Sequence, residues 1–455
     1  MKKRTIIFGF LCAALLFTGC EDYLEVGEPK EQIGSPKVFN DDRMAVSAVT
    51  HIYTQMRANG FFAGNRFGMG YYLGCLTDEL EVVNPQSSNH RLFYEGSVLA
   101  GNNGIRDVWN HTYKQLYGAN SVLEGLQESS GVSAEVNSQL RGEALAIRGI
   151  LHFYLTQTFG SVPYVTETDY NINKSIEKMP VAAVMEKAVA DLKEAEELLS
   201  PEYPSAERVR INQRVVQAFL SRMYLYLQQW HLAAQYAEKV LDDPAYEMEP
   251  VEKVFLKDSK SAIWQFKPDN PGRNTLEGTE YIFTVIPAPQ SRLSMELVNS
   301  FEAGDLRAAT WLNKVNGSPE NYCAYKYRQR SATSASQEYS VVLRIEEMYL
   351  IMAEASAHLG NTTDFEDYLN AVRERCGLTP VVAADINAMT ALVLQERRKE
   401  LFCEFGHRYF DLKRTGKLEV LAASKSGWKS YFNLLPLPEN ELLLNPRLLP
   451  QNPGY

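Results

Sequence analysis

Signatures of catalysis and metal binding are scarce in this sequence. It contains no His-Glu-x-x-His, which excludes the zinc-protease helix, and no Gly-x-Ser-x-Gly, which excludes the strained serine elbow of many hydrolases. Gly68, Gly70 and Gly74 are spaced one residue too widely for a dinucleotide fingerprint. The seven histidines are scattered, and the six cysteines form no Cys-x-x-Cys pair, so neither a zinc site nor a dense disulfide frame is indicated. No apolar run reaches the ~20 residues that a membrane-spanning helix needs. Basic residues are outnumbered, 46 against 56, and the formal charge of −10 argues against nucleic-acid binding, which needs a basic footprint. What is present is ordinary for a folded chain: 45% apolar and 22% charged residues. At 455 residues, the chain exceeds the ~250–300 over which one core keeps growing. Several lobes or a stack of repeats are therefore expected.

The N-terminus has its own character. Lys2, Lys3 and Arg4 precede an apolar run of twelve from Ile6 to Phe17, which is the length of a signal-peptide core. Thr18 and Gly19 then lead to Cys20, an arrangement similar to a bacterial lipoprotein lipobox, with Phe17 where leucine is usual. The expectation is cleavage after residue 19 and lipidation of Cys20; ordinary signal cleavage leaving a spare thiol is the alternative. Two or three acyl chains would anchor the protein stably, where one chain is marginal. Glu21 and Asp22 resemble a surface-export signal and read equally as an acidic linker. Loss of Lys2, Lys3 and Arg4 leaves 43 basic residues against 56 acidic ones. Of the remaining cysteines, Cys75, Cys323, Cys376 and Cys403 are expected to be free thiols; one or two bridges are the alternative in an oxidising compartment.

Helical periodicity dominates the body. Helices are predicted over 42–57, opening at the capping cluster Asn40-Asp41-Asp42, and over 105–126, 133–159 and 180–199. Paired helices follow over 212–228 with 231–241, and over 346–359 with 364–375; a last long one spans 387–406. The small and aromatic residues of the two pairs (Ala218, Tyr224, Trp230 and Ala237; Tyr349, Ala353, Ala355 and Gly360) suit tetratricopeptide-like hairpins, in which small residues let helices approach. Generic helical hairpins are the plainer reading. Residues 59–104 and 242–340 are rich in Gly, Pro, Asn, Ser and aromatics and read as long loops, with Ala262–Phe266 a strand half buried on one face. The predicted fold is mainly all-α: a helical hairpin scaffold with long irregular loops and minor β elements.

Motifs occur in collinear order along the whole chain. They include Gly19-Cys20-Glu21-Asp22, Thr77-Asp78-Glu79, the helix carrying Trp109, Tyr113, Ala119 and Asn120, and Phe159-Gly160-Ser161-Val162-Pro163. Arg344 to Leu350, Glu396 to Leu401, Gly406 to Arg414 and Gln451 to Tyr455 complete the series. This pattern resembles the SusD/RagB family of outer-membrane nutrient-binding lipoproteins. The resemblance implies one SusD-like domain over 20–455, with an N-terminal part to about residue 200 and a C-terminal part from about 201. It also implies an outer-membrane, surface-exposed location and a SusC-like TonB-dependent transporter as partner. The ligand implied is an oligosaccharide, or a peptide in some members. No catalysis and no cofactor beyond the lipid are implied.

Physical reading of the residues adds detail. Glu396, Arg397, Arg398, Glu400, Arg408 and Asp411 mix both signs at close spacing, as a buried ion-pair network tying the last helix to the scaffold would. Cys403 and His407 are four apart and would share a helix face in core packing, or less readily form a nucleophile pair. Asp78, Glu79 and Glu81 are the densest acidic cluster; anchoring of a loop, ligand hydrogen bonding, a glycosidase pair and a structural calcium all suit such residues. Sugar capture needs flat apolar faces and planar polar groups, and rigid rings lose little entropy on binding. Loop placement selects Tyr71, Tyr72, Asp78, Asn84, Asn89, Arg91, Phe93, Tyr94, Tyr281 and Trp311 as ligand contacts. For any one ring, packing of its loop onto the scaffold is the competing reading. Trp109 and Trp230 lie in helices and are read as core.

Overall fold

The computed structural model describes residues 36–455, except 85, 87, 318 and 319. Segment 1–19, Cys20, Glu21 and Asp22 lie outside the described residues.

Helices α1 (Asp42–Ala58), α4 (Asn103–Glu128), α5 (Ala134–Phe159) and α6 (Val181–Leu198) form close to where periodicity places them, with the short α2 (Met69–Leu76), strand β1 (Leu80–Val82) and α3 (Ser88–Tyr94) between α1 and α4. Next come α7 (Gln213–Tyr226) and α8 (Trp230–Leu241), then α9 (Ile345–His358), α10 (Thr362–Arg375), α11 (Ile386–Leu401) and α12 (His407–Arg414). Side-chain caps start many of them: Asp41 accepts from Met44 N at 2.9 Å, Asn102 from Ile105 N at 3.2 Å and Asn212 from Val215 N at 3.0 Å. Each satisfies a first-turn N–H that the helix itself cannot.

Neighbouring helices pack in series. α4 lies on α5, α5 on α6, α6 on α7 and α7 on α8; α8 then packs on α9, and α9 on α10 and α11. The two hairpins that are separated in sequence are therefore direct neighbours in space. Ala218, Ala233, Ala237, Ala353 and Ala355 are fully buried along these contacts, which brings the helix axes together.

The stretches 59–104 and 242–340 are more ordered than composition suggests. Among the described residues, three two-stranded antiparallel ribbons run through or border them: β1 with β3 (Ser291–Leu293), β2 (Ala262–Phe266) with β6 (Ser340–Arg344), and β4 (Leu312–Val315) with β5 (Asn321–Ala324). The expectation that β2 buries one face is corrected, because all five of its residues are buried. Rings from α1, the turn after it and α7 (Tyr53, Phe62 and Phe219) surround Trp264 at about 6 Å, so no face of this ribbon is left for water.

The last long helix is also shorter than predicted. α11 ends at Leu401, and the backbone turns through left-handed conformations at Cys403 (φ 55°), Phe405 (φ 41°) and Gly406 (φ 81°) before α12 begins. Cys403 and His407 therefore share no helix face. A Cβ on Gly70 would sit 2.8 Å from the Phe405 Cα, so close approach of α2 to this bend requires glycine there.

The predicted charge network exists and is larger than its sequence cluster. Glu400 is fully buried and meets Arg307 (2.9 Å), Arg344 (2.6 Å) and Arg375 (2.6 Å). Arg344 also reaches Glu346 and Glu404, and Arg307 reaches Asp305 and Glu396. Arg397 pairs with Asp411 at 2.8 Å, and Arg414 joins Asp411 to Glu354. Burial by itself would raise the Glu400 pKa; the surrounding Arg375, Arg344 and Arg307 hold its carboxyl well below the usual range. Removing one member of such a set leaves charge buried without compensation. Arg344→Leu is expected to cost about 3–5 kcal/mol, measured by urea unfolding. The exposed Arg91→Leu, which breaks only a pair with Glu95, is expected to leave the midpoint unchanged.

Candidate functional site

The ring residues expected to meet ligand are mostly inside the protein. Tyr71, Tyr72, Phe93 and Trp311 are no more than 2% exposed. Tyr71 stacks on the half-buried Tyr281 at 5.4 Å and shares a hydrogen bond with Ser291. Tyr72 lies between His90 (5.1 Å) and Phe93 (4.7 Å). The Trp311 indole donates to Val251 O at 3.0 Å. A ring packed on both faces has none to offer a sugar, so the reading of these four as ligand contacts is corrected. The physical reason is that α2 and α3 fold onto the scaffold through Tyr71, Tyr72 and Phe93, while Trp311, at the end of the short helix Leu306–Trp311, packs against Phe255 and Phe402.

The polar candidates serve the loops. Asp78 is buried and receives Arg408 at 2.7 and 2.8 Å and Arg398 at 2.8 Å, which ties the loop before β1 to α11 and α12. Burial pushes the Asp78 pKa up, and the guanidinium groups of Arg408 and Arg398 more than reverse this. Glu79 accepts from Cys403 N at 3.3 Å, while Glu81 pairs with Arg292 at 2.8 Å. The three carboxyls thus take separate partners and do not converge on a cleft or a cation. Among the described residues, no group of three or more His, Cys, Asp or Glu is placed to hold a metal ion. Asn84 donates to Pro289 O at 2.9 Å, and Asn89 bonds the Tyr72 hydroxyl. Arg91 is exposed beside Glu95, and the half-buried Tyr94 ring lies under Lys425 at 3.8 Å. Cys75, Cys323, Cys376 and Cys403 are free thiols, and burial pushes Cys75 and Cys376 up to about 12, so they carry no thiolate at neutral pH.

A groove of about 440 Å³ opens elsewhere, between α4, the connection 163–176 and residues 441–448 near the C-terminus. Trp109, Tyr113 and Tyr117 stand at i, i+4 and i+8 on α4 and form one stripe along its wall. Trp109 is packed deep against Phe159, while Tyr117 is 45% exposed at the outer end. Tyr170, 74% exposed, faces the groove from the opposite connection, with Lys174 near its ring at 5.7 Å. Asn110, Asn173 and Asn445 supply planar amides.

Local hydrogen bonds hold this wall still. Tyr113 donates to Pro163 O at 3.0 Å and Asn120 to Val165 O at 3.0 Å, so the motif on α4 grips the chain just after Phe159-Gly160-Ser161-Val162-Pro163. Thr168 N donates to Glu124 at 2.8 Å, and Asn445 to Ile176 O at 2.8 Å, which closes the third side. The Trp109 indole donates to the Glu441 carboxyl, whose pKa burial raises. Rigid rings beside fixed amides suit a neutral, hydroxyl-rich ligand. The reading of Trp109 as core is right for its burial and missed its position on the groove. The legible signal was the four-residue repeat of rings along one helix, ending at an exposed tyrosine.

Comparison with known proteins agrees with this architecture. Residues 22–225 match a family described as starch-binding and associating with the outer membrane, and residues 307–455 match the SusD family. Two SusD-like proteins of Formosa agariphila align along 100% of this chain and essentially their whole length, at 24% and 22% identity. A SusD superfamily protein of Bacteroides vulgatus superposes with a TM-score of 0.80 at 20% identity, covering 92% of this chain and 100% of its own. A laminarin-binding SusD-like protein gives 0.75 at 22% identity, covering 92% and 100%. The fold is that of a helical, tetratricopeptide-like carbohydrate-binding class associated with outer membranes. The chain belongs to the SusD/RagB family.

One buried carboxyl gives a pH signature. Burial, and then the neighbouring Asp78 charge, raise Glu79 to about 7 from 4.5. Folding thus favours its protonated form. The stability tied to Glu79 is full below pH 4.5 and is lost as pH rises through about 7. Glu79→Gln, which stays neutral and keeps an acceptor for Cys403 N, is expected to stabilise the protein at pH 8 by on the order of 3 kcal/mol. Near pH 4.5, it should change little, with urea unfolding at both pH values as the measurement.

Proposed function

We propose that this protein is a non-catalytic surface lipoprotein that captures an oligosaccharide and hands it to a SusC-like TonB-dependent barrel in the outer membrane. The ring-lined groove of about 440 Å³ is the observation that supports glycan capture most directly. Pyranose C–H faces would lie on Tyr113, Tyr117 and Tyr170, with hydroxyls meeting Asn110, Asn173 and Glu441. Cys20 would bear the lipid that keeps the groove at the cell surface.

Magnitudes suit a relay. A few ring contacts at ~1 kcal/mol each and several net hydrogen bonds at ~1 kcal/mol, less the cost of immobilising the sugar, correspond to a Kd on the order of 0.1 mM. Binding of that strength concentrates ligand and still releases it. Nothing in the groove supplies a placed acid and base across a scissile bond: Glu441 and Lys174 are its charged members, and Lys174 is exposed at the rim.

Titration of the soluble form lacking Cys20 with neutral hexasaccharides is the test. Tyr113→Ala and Tyr170→Ala are each expected to weaken binding about five- to tenfold, with the oligosaccharide recovered intact. Full affinity in both variants would remove the groove from consideration. For the anchor, Cys20→Ser is expected to move the protein from the membrane fraction to the soluble one, and co-purification of the barrel with the lipidated protein checks the partner.

A further inference from the structure

Most buried carboxylates of this protein meet a cation, whereas Glu79, Glu277 and Glu338 are held by backbone N–H or hydroxyl donors; Glu441 also lacks a cation, and it is the carboxyl that lines the groove. Asp191, Glu143, Glu347, Glu354, Glu396 and Glu400 each meet a guanidinium group within 4 Å. Glu441 is half-buried in the groove wall, and its side chain accepts from the neutral indole N–H of Trp109. Among the described residues, no Lys, Arg or His nitrogen lies within ion-pair distance of it. A carboxylate offers about four acceptor positions, and one indole N–H fills one of them.

The geometry points to a groove that selects neutral glycans over acidic ones, with Glu441 as the group that discriminates. This rests on the groove being the glycan site proposed above. The unused lone pairs of Glu441 can accept from two adjacent sugar hydroxyls, and desolvation beside Trp109 strengthens those bonds. A uronate or sulfate at the same place would be buried against a like charge with no cation between them. Lys174 is the counter-charge to consider. It is exposed, its ammonium is held by Asn171 at 3.0 Å, and it lies beside the Tyr170 ring at the solvent side, where salt screens it. The deep wall therefore carries net negative charge and the rim a screened positive one. Rings beside an unpaired carboxylate could also draw an amine-bearing sugar. The amides Asn110, Asn173 and Asn445 line the same groove, but Asn173 and Asn445 already donate to Glu167 O and Ile176 O and an amide oxygen accepts from an ammonium as from a hydroxyl, so a cationic sugar is the competing ligand that the experiment includes.

The experiment titrates four proteins, wild type, Glu441→Gln, Lys174→Gln and Tyr113→Ala, with three probes: a neutral glucan hexaose of α or β linkage, tetragalacturonate, and chitosan tetramer. Wild type is expected to bind the neutral hexaose at least tenfold more tightly than tetragalacturonate. Glu441→Gln is expected to narrow that ratio at least threefold while changing neutral binding less than fivefold, because glutamine keeps one acceptor. Lys174→Gln should leave the ratio unchanged. Equal or tighter binding of tetragalacturonate by wild type, or an unchanged ratio in Glu441→Gln, overturns the inference. So does chitosan binding that exceeds neutral binding and collapses in Glu441→Gln, which would make Glu441 a cation site. Neutral binding that survives Tyr113→Ala counts instead against the groove itself. Thermal melting of each variant confirms that all four are folded.

Discussion

Glu400 sits fully buried at the meeting point of three guanidinium groups, and these come from three different parts of the chain. Arg307 belongs to the long segment between the hairpins, Arg344 ends β6, and Arg375 ends α10. Each ion would be costly to bury alone; together, with the carboxylates of Glu346, Glu396 and Glu404, their charges are mutually compensated. The set requires α9, α10, α11 and the 302–307 segment to occupy one arrangement. Asp78, held by Arg398 and Arg408, extends the same logic to the loop before β1, over three hundred residues away in sequence. Charge of both signs thus fixes the register of the scaffold, while apolar burial supplies most of its stability.

On this scaffold, two kinds of aromatic residue do different things. Tyr71, Tyr72, Phe93, Trp264 and Trp311 fill space where loops meet helices. Tyr117 and Tyr170 remain open to solvent across a groove whose inner wall is Trp109 and Tyr113. The division is physical: the first set lies beneath α2, α3 and the ribbons, and the second lines a gap that α4, the 163–176 connection and the C-terminal segment leave between them. The hydrogen bonds of Tyr113, Asn120 and Asn445 prevent that gap from closing onto its own rings.

Much of the helical plan was legible in the residues, because a 3.6-residue apolar period and Asp or Asn caps act locally. The end of α11 was not. Phe402 to Phe405 continue the apolar pattern, and the left-handed turn at Cys403 and Phe405 is imposed by α2 packing across at Gly70, a contact between residues far apart in sequence. The ion-pair cluster near residue 400 was legible as a cluster; its partners Arg307, Arg344 and Arg375 were not, since spacing says nothing about non-local pairing. The groove escaped for the same reason. Its walls come from residues near 110, 170 and 441, joined by a bond such as Asn445 to Ile176 that spans 269 positions. Composition located aromatic-rich loops, but it does not distinguish a ring that packs from one that waits for a ligand.

A crystal structure of the protein with a bound neutral oligosaccharide would test the account most directly. The account predicts sugar rings lying on Tyr113 and Tyr170, with hydroxyls at Glu441 and at the amides beside it. Sugar bound at the face formed by β1, β3 and α3, with the groove empty at saturating ligand, would contradict it.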